Sequence, residues 1–176
     1  MLNKKVQAAL IQQINAEMHA SYLYYGMRAY FEEQTLTGAA HWMKCQWIEE
    51  LGHANKIFEY IHERGGNVDL PLVKEVGTKY VSPLAAFEAA YTHETKVTAM
   101  INKLVELAAT EKDHATVNFL QFYIAEQVEE EAAADAIVHK LKLVGDAKGG
   151  LFMLDRELAA RPFGMPVTIS GAGGGE

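Results

Sequence analysis

Four glutamates and a histidine stand where the helical patterning of this sequence calls for apolar side chains. Glu17 falls among Leu10, Ile14, Ser21 and Tyr24, and Glu50 among Met43, Trp47, Ala54 and Ile57, with His53 one turn on. Glu94 interrupts Phe87, Tyr91, Val97 and Ile101, while Leu120, Ile124 and Leu141 bracket Gln127 and Glu130. Burying one unpaired carboxylate costs on the order of several kcal/mol, so four in one apolar interior require a compensating charge. The seams carry no Lys or Arg. That leaves protonation or bound cations, and a fully protonated set makes a poor core. Bound metal answers the charge most simply.

Glu50-Leu-Gly-His53 is a Glu-x-x-His pair at i, i+3, two side chains on one helix face that can reach the same ion. Carboxylate-rich sites with a single imidazole suit iron, manganese or zinc over copper. Two metals bridged by Glu50 balance the acids better than one. The spacing recurs by chance in many helices; its coincidence with Glu17, Glu94 and Glu130 at matched depth carries the argument. In the acidic run 126–131, Glu131 reads as a wet helix face. Glu126, Glu129 and Glu130 lie within one turn and can share a further cation with Glu49. Tyr24 is open to two readings, plain packing or a phenol bonded to a metal ligand and able to give up an electron. The other histidines (His19, His41, His62, His93, His114 and His139) and the Trp42, Met43 and Trp47 group read as ordinary structural residues.

These side chains need long helices to position them. Apolar residues at three- and four-residue spacing predict a first helix over about 3–33 and a second over about 36–64, stopped by Gly65-Gly66. The stretch NVDLPLVKEVGTKYVSP is too irregular for a helix and too long for a tight turn. Ser82-Pro83 opens a third helix to about Thr110, and a fourth runs from the Lys112-Asp113 turn to Val144, stopped by Gly145. A short amphipathic helix follows over about 150–160. Short connections within each pair and a long link between the pairs imply an all-α, ferritin-like four-helix bundle with one crossover. The expected organisation is one domain over 1–160 and a flexible, glycine-rich tail over 161–176.

The 176 residues are enough for one domain with a sizeable core, and the formal charge of -7 argues against nucleic acid as a partner. No apolar run approaches the roughly 20 residues that span a bilayer. The N-terminus is amphipathic from its first turn and lacks a signal-peptide core. Cys45 is the sole cysteine, which excludes an intrachain disulfide and a thiolate cluster and fits a reducing, cytoplasmic setting.

The segments INAEMHASYLYY, WIEELGHANKIFEYI, ETKVTAMINKL and FLQFYIAEQVEEE resemble motifs of the bacterial non-haem ferritins, a likeness covering essentially residues 2–160. The resemblance implies a first iron site of Glu17, Glu50 and His53, and a second of Glu50, Glu94 and Glu130 with Gln127 close by. It implies a third, looser iron on Glu49, Glu126, Glu129 and Glu130, and places Tyr24 beside the di-iron centre. Bacterioferritins are less similar: they carry a second Glu-x-x-His where this chain has Gln127-x-x-Glu130, and a haem-ligating methionine where it has Gly52. No haem is therefore expected. Rubrerythrins require paired cysteines, and the mini-ferritins lack the fifth helix.

The implied function is iron storage and detoxification by a ferroxidase that takes Fe2+ with O2 or H2O2 and stores ferric mineral in a shell of 24 subunits. Two other classes remain open on sequence. One is a di-metal oxidase of an organic substrate, whose pocket Tyr22, Trp47 and Phe122 would tend to fill. The other is a cage that only buffers metal.

Overall fold

A computed structural model describes residues 2–145 and 147–164, so the expected tail beyond residue 164 lies outside the described residues. Five helices form in the expected order: α1 (Lys4–Glu33), α2 (Thr37–Glu63), α3 (Pro83–Thr110), α4 (His114–Val144) and α5 (Lys148–Leu158). The fifth begins two residues earlier than the sequence suggests.

Local chemistry fixes the ends. Asn3 caps α1 by accepting from the backbone N–H of Lys5 at 2.8 Å, and Ser82 caps α3 by accepting from Ala85 at 3.1 Å, with Pro83 in the first turn. Asp113 caps α4 by accepting from the Thr116 N–H at 3.1 Å. Gly65, at φ 72°, closes α2 and lets Gly66 donate back to the Ile61 carbonyl at 2.9 Å. The two tight turns instead put Thr35 (φ 58°) and Lys112 (φ 57°) in the left-handed region. That conformation costs a non-glycine residue about 1 kcal/mol, and it keeps each helical hairpin tight.

α1 and α2 form one antiparallel hairpin and α3 and α4 the other. The link, residues 67–81, has neither helix nor strand. It lies along α1, where Asn15 donates to the carbonyls of Pro71 (3.2 Å) and Leu72 (3.3 Å), and Gln7 donates to that of Asn67 (3.0 Å). Gly26 makes room for it: a Cβ there would stand 3.0 Å from the Gly77 carbonyl oxygen. This path reverses the chain so that α3 runs parallel to α2.

The apolar interior is divided in two. One cluster gathers Phe31, Met43, Phe87 and Leu141 with Leu154 and Leu158 of α5; the other gathers Leu10, Ile57, Ile101 and Leu120. Between them lies a belt of buried polar side chains.

Candidate metal centre

Each long helix contributes to the belt. Glu17 and Gln13 come from α1, Gln46, Glu50 and His53 from α2, Glu94 from α3, and Gln127 and Glu130 from α4, all buried. Glu94 is fully enclosed and Glu17 only 1 % exposed, so neither charge can be left to solvent.

Ligand atoms of Glu17, Glu50 and His53 all lie within 4.8 Å of one another. No other group of three or more His, Cys, Asp or Glu side chains converges in this way among the described residues. Glu17 accepts from Gln13 Nε2 through Oε1 at 2.9 Å, while its Oε2 is buried with no partner among the described residues. His53 Nδ1 stands 3.4 Å from Glu50 Oε2, and its Nε2 stands 3.7 Å from Glu126 Oε2. Across the belt, Tyr24 donates its phenolic hydrogen to Glu94 Oε1, and Gln127 Nε2 donates to Glu94 Oε2 at 3.3 Å. Gln46 Nε2 donates to Glu130 Oε2 at 2.7 Å.

The electrostatics are those of a site built for a cation. Burial, reinforced by neighbouring carboxylates, pushes Glu17 up to about 8 and Glu50 and Glu94 up to about 7. Burial also raises Glu130. His53 is buried too, which opposes its charge, yet Glu126, Glu50 and Glu17 around it raise the ring to about 11. Hard oxygen donors, one imidazole and an orphaned carboxylate oxygen suit a divalent metal of the iron, manganese or zinc group.

The expected first-site residues are thus brought together, and Glu94, Glu130, Gln127 and Tyr24 border them. Three carboxylates of the expected third site are engaged elsewhere, Glu49 with Arg161 at 2.6 Å, Glu126 with His53 and Glu130 with Gln46, while Glu129 is exposed to solvent. Gln46, not Trp47, occupies the interior position one turn before Glu50; Trp47 is half-buried against Tyr25, its ring centroid 4.7 Å away. Glu131 is half-buried and accepts from Thr98 rather than facing open water. Tyr22 is half exposed and lines a surface groove with Tyr25 and Val76 rather than filling an interior pocket.

Gln13 and Gln46 were invisible to the charge argument. A signal existed, since each stands one turn before an interior glutamate on the same helix face. His93, expected to be structural, is 6.0 Å from His19 between ring centroids, and burial together with nearby His19 and Lys96 lowers it to about 4.

The model of the ferritin-like domain family matches residues 7–144. A bacterial non-heme ferritin of Bacteroides fragilis (strain 638R) is 45% identical over 161 residues, covering 92% of this chain and 100% of the relative. One from Campylobacter jejuni is 42% identical over 156 residues, covering 89% and 93%. The structure of an open pore ferritin from the hyperthermophilic archaeon Archaeoglobus fulgidus superposes with a TM-score of 0.90 at 52% identity, covering 92% of this chain and 100% of that one.

Proposed function

The chain belongs to the ferritin family and stores iron, and we propose that it does so by oxidising Fe2+ at a two-iron centre inside each subunit's bundle. The observation that carries this reading is the convergence of Glu17, Glu50 and His53 within 4.8 Å in the interior, with an oxygen of Glu17 left unpartnered. The first Fe2+ takes Glu17, Glu50 and His53. The second shares Glu50 and adds Glu94 and Glu130, with Gln127 and Tyr24 holding Glu94 in place. A third, weaker position draws on Glu49, Glu126, Glu129 and Glu130.

The side chains have defined tasks. Burial raises Glu17 to about 8 and Glu50 and Glu94 to about 7, so near neutral pH the set is partly protonated and an arriving Fe2+ displaces protons as well as hydration. Glu50 lies between the two positions and keeps the irons close enough for one O2 or H2O2 to accept an electron from each. Tyr24, bonded to Glu94, can supply a further electron. Exposed Glu129 and the rim residue Glu126 offer the product carboxylates on its way out.

The product passes to a hollow shell of 24 copies. The exposed apolar side chains Tyr22, Tyr25, Leu51, Phe58, Leu72 and Val81 on α1, α2 and the link support burial against neighbouring copies. Gly52 and Gln127 support iron without haem. No helix among the described residues is long and apolar enough to cross a membrane, and the reading places the protein in the cytoplasm. The storage unit is 1–160; of the expected tail over 161–176, residues 161–164 are docked on α2 rather than loose, and the rest lies outside the described residues.

The test loads the apoprotein with Fe2+ without air, admits air, follows the Fe3+ absorbance and passes the sample over a sizing column. Rapid oxidation of about two irons per chain, in a particle of roughly half a megadalton, is expected. Oxidation no faster than that of free iron, or a particle no larger than a dimer, overturns the reading.

A further inference from the structure

Past α5 the chain turns back onto α2, and residues 161–164 meet it at Glu49. Arg161 Nη2 donates to Glu49 Oε2 at 2.6 Å, both side chains about three-quarters buried. The guanidinium carbon lies 4.8 Å from the centre of the Trp42 ring. His41 Nε2 donates to the Arg161 carbonyl at 2.8 Å, and the Phe163 ring packs 5.1 Å from His41 with Lys44 Nζ above it. At Gly164 a Cβ would stand 2.3 Å from Glu49 Oε1, so the segment passes close by the second carboxylate oxygen. Arg161 Nη1 is buried and has no hydrogen-bond partner among the described residues.

One carboxylate thus has one oxygen on a guanidinium and the other against backbone. A divalent cation approaching Glu49 from Glu126, Glu129 and Glu130 meets a positive charge already seated there. Two like charges a few ångströms apart at a half-buried site repel by an amount that changes affinity roughly tenfold or more. The pair is also a charge-assisted bond stacked on an indole, so it holds without metal.

We infer that Arg161 is a built-in cation that occupies Glu49 in place of the third iron, so that filling the third position and undocking residues 161–164 from α2 are one event. This rests on the third position proposed above. It makes Arg161 a positioning residue for Glu49, and it orders the sites: the buried pair fills first, and the third fills only when iron outcompetes the guanidinium.

The experiment uses the assembled protein with Trp47→Phe, so that emission reports Trp42, titrated without oxidant with Zn2+ by calorimetry and fluorescence. With Arg161 present, the third equivalent should bind weakly and shift Trp42 emission. In Arg161→Gln, and in a chain stopped after Ala160, the third equivalent should bind about tenfold more tightly without an emission step, while the first two are unchanged. A third step of equal affinity in all three proteins overturns the latch and leaves the third position standing. Two equivalents and no third in every protein overturn the third position and the latch with it.

Discussion

Tyr24 and Glu94 join α1 to α3 through one hydrogen bond in the fully buried belt, phenol to carboxylate. The bond favours ionised Glu94 against the burial that raises it. In Tyr24→Phe, Glu94 loses that donor and its carboxyl should move further up. The apoprotein should lose about 1–3 kcal/mol in denaturant unfolding. Affinity for the proposed second metal should fall about 10–100-fold, the usual cost of removing a bond that orients a ligand, here Glu94. Unchanged second-metal affinity would show that Tyr24 only packs.

Glu17 is a liability to the empty protein and an asset to the loaded one. Its folded form holds a proton near neutrality that the unfolded chain releases. Glu17→Gln should therefore stabilise the apoprotein by about 1–3 kcal/mol at pH near 7 and more at higher pH. It should also slow Fe2+ oxidation by more than about tenfold, since at the proposed first site it removes a ligand outright. A variant with a lower apoprotein Tm would refute the buried-acid account.

The belt sets how stability follows pH. Glu17, raised to about 8, and Glu50 and Glu94, raised to about 7, have folded values above the ordinary 4.5. Such groups contribute fully below 4.5 and lose that contribution as pH rises to their folded values. His53, raised from 6.5 to about 11, has the same sign over a higher window. Apoprotein Tm should fall as pH rises from about 5 to about 8.5, and Zn2+ should flatten the decline by replacing the protons. A calorimetric Tm that climbs across this range without metal contradicts the assignment.

Asp113 supplies a control outside the centre. It caps α4 and accepts from Arg64 Nη2 at 3.1 and 3.2 Å. Burial alone would raise it, yet bonds from Thr116 and Arg64 hold it below the usual carboxylate range. Asp113→Ala should cost about 1–3 kcal/mol of stability by urea unfolding. Stopped-flow oxidation of Fe2+ should keep its wild-type rate; a slowed rate would mean that this end of the bundle is coupled to the belt.

The interior acids were legible because a charge at an apolar helical position violates the period that surrounds it. Gln13 and Gln46 broke no such rule, since an uncharged amide is tolerated on either face. The large Trp47 side chain drew the seam one residue past Gln46, although an indole can stack on a surface tyrosine as it does here. Gly149 and Gly150 concealed the first turn of α5. The path of residues 67–81 follows no period, being set by contacts with α1 that are remote in sequence. Arg161 meets Glu49 across 112 positions, and no local pattern announces such a pair.

The polar belt splits the apolar interior into two clusters, and this has a bearing on how the subunit comes apart. Side chains in the two clusters do not interlock across the belt; the halves are joined there by hydrogen bonds among groups that would gain by meeting water. Without metal the belt is the weakest seam of the interior, and local opening is expected to begin there. At the proposed two-iron centre, a cation pair held from α1, α2, α3 and α4 would tie the two clusters together and raise the cost of opening the belt. On that reading iron is more than cargo passing through, because its arrival would change the grain of the container that holds it.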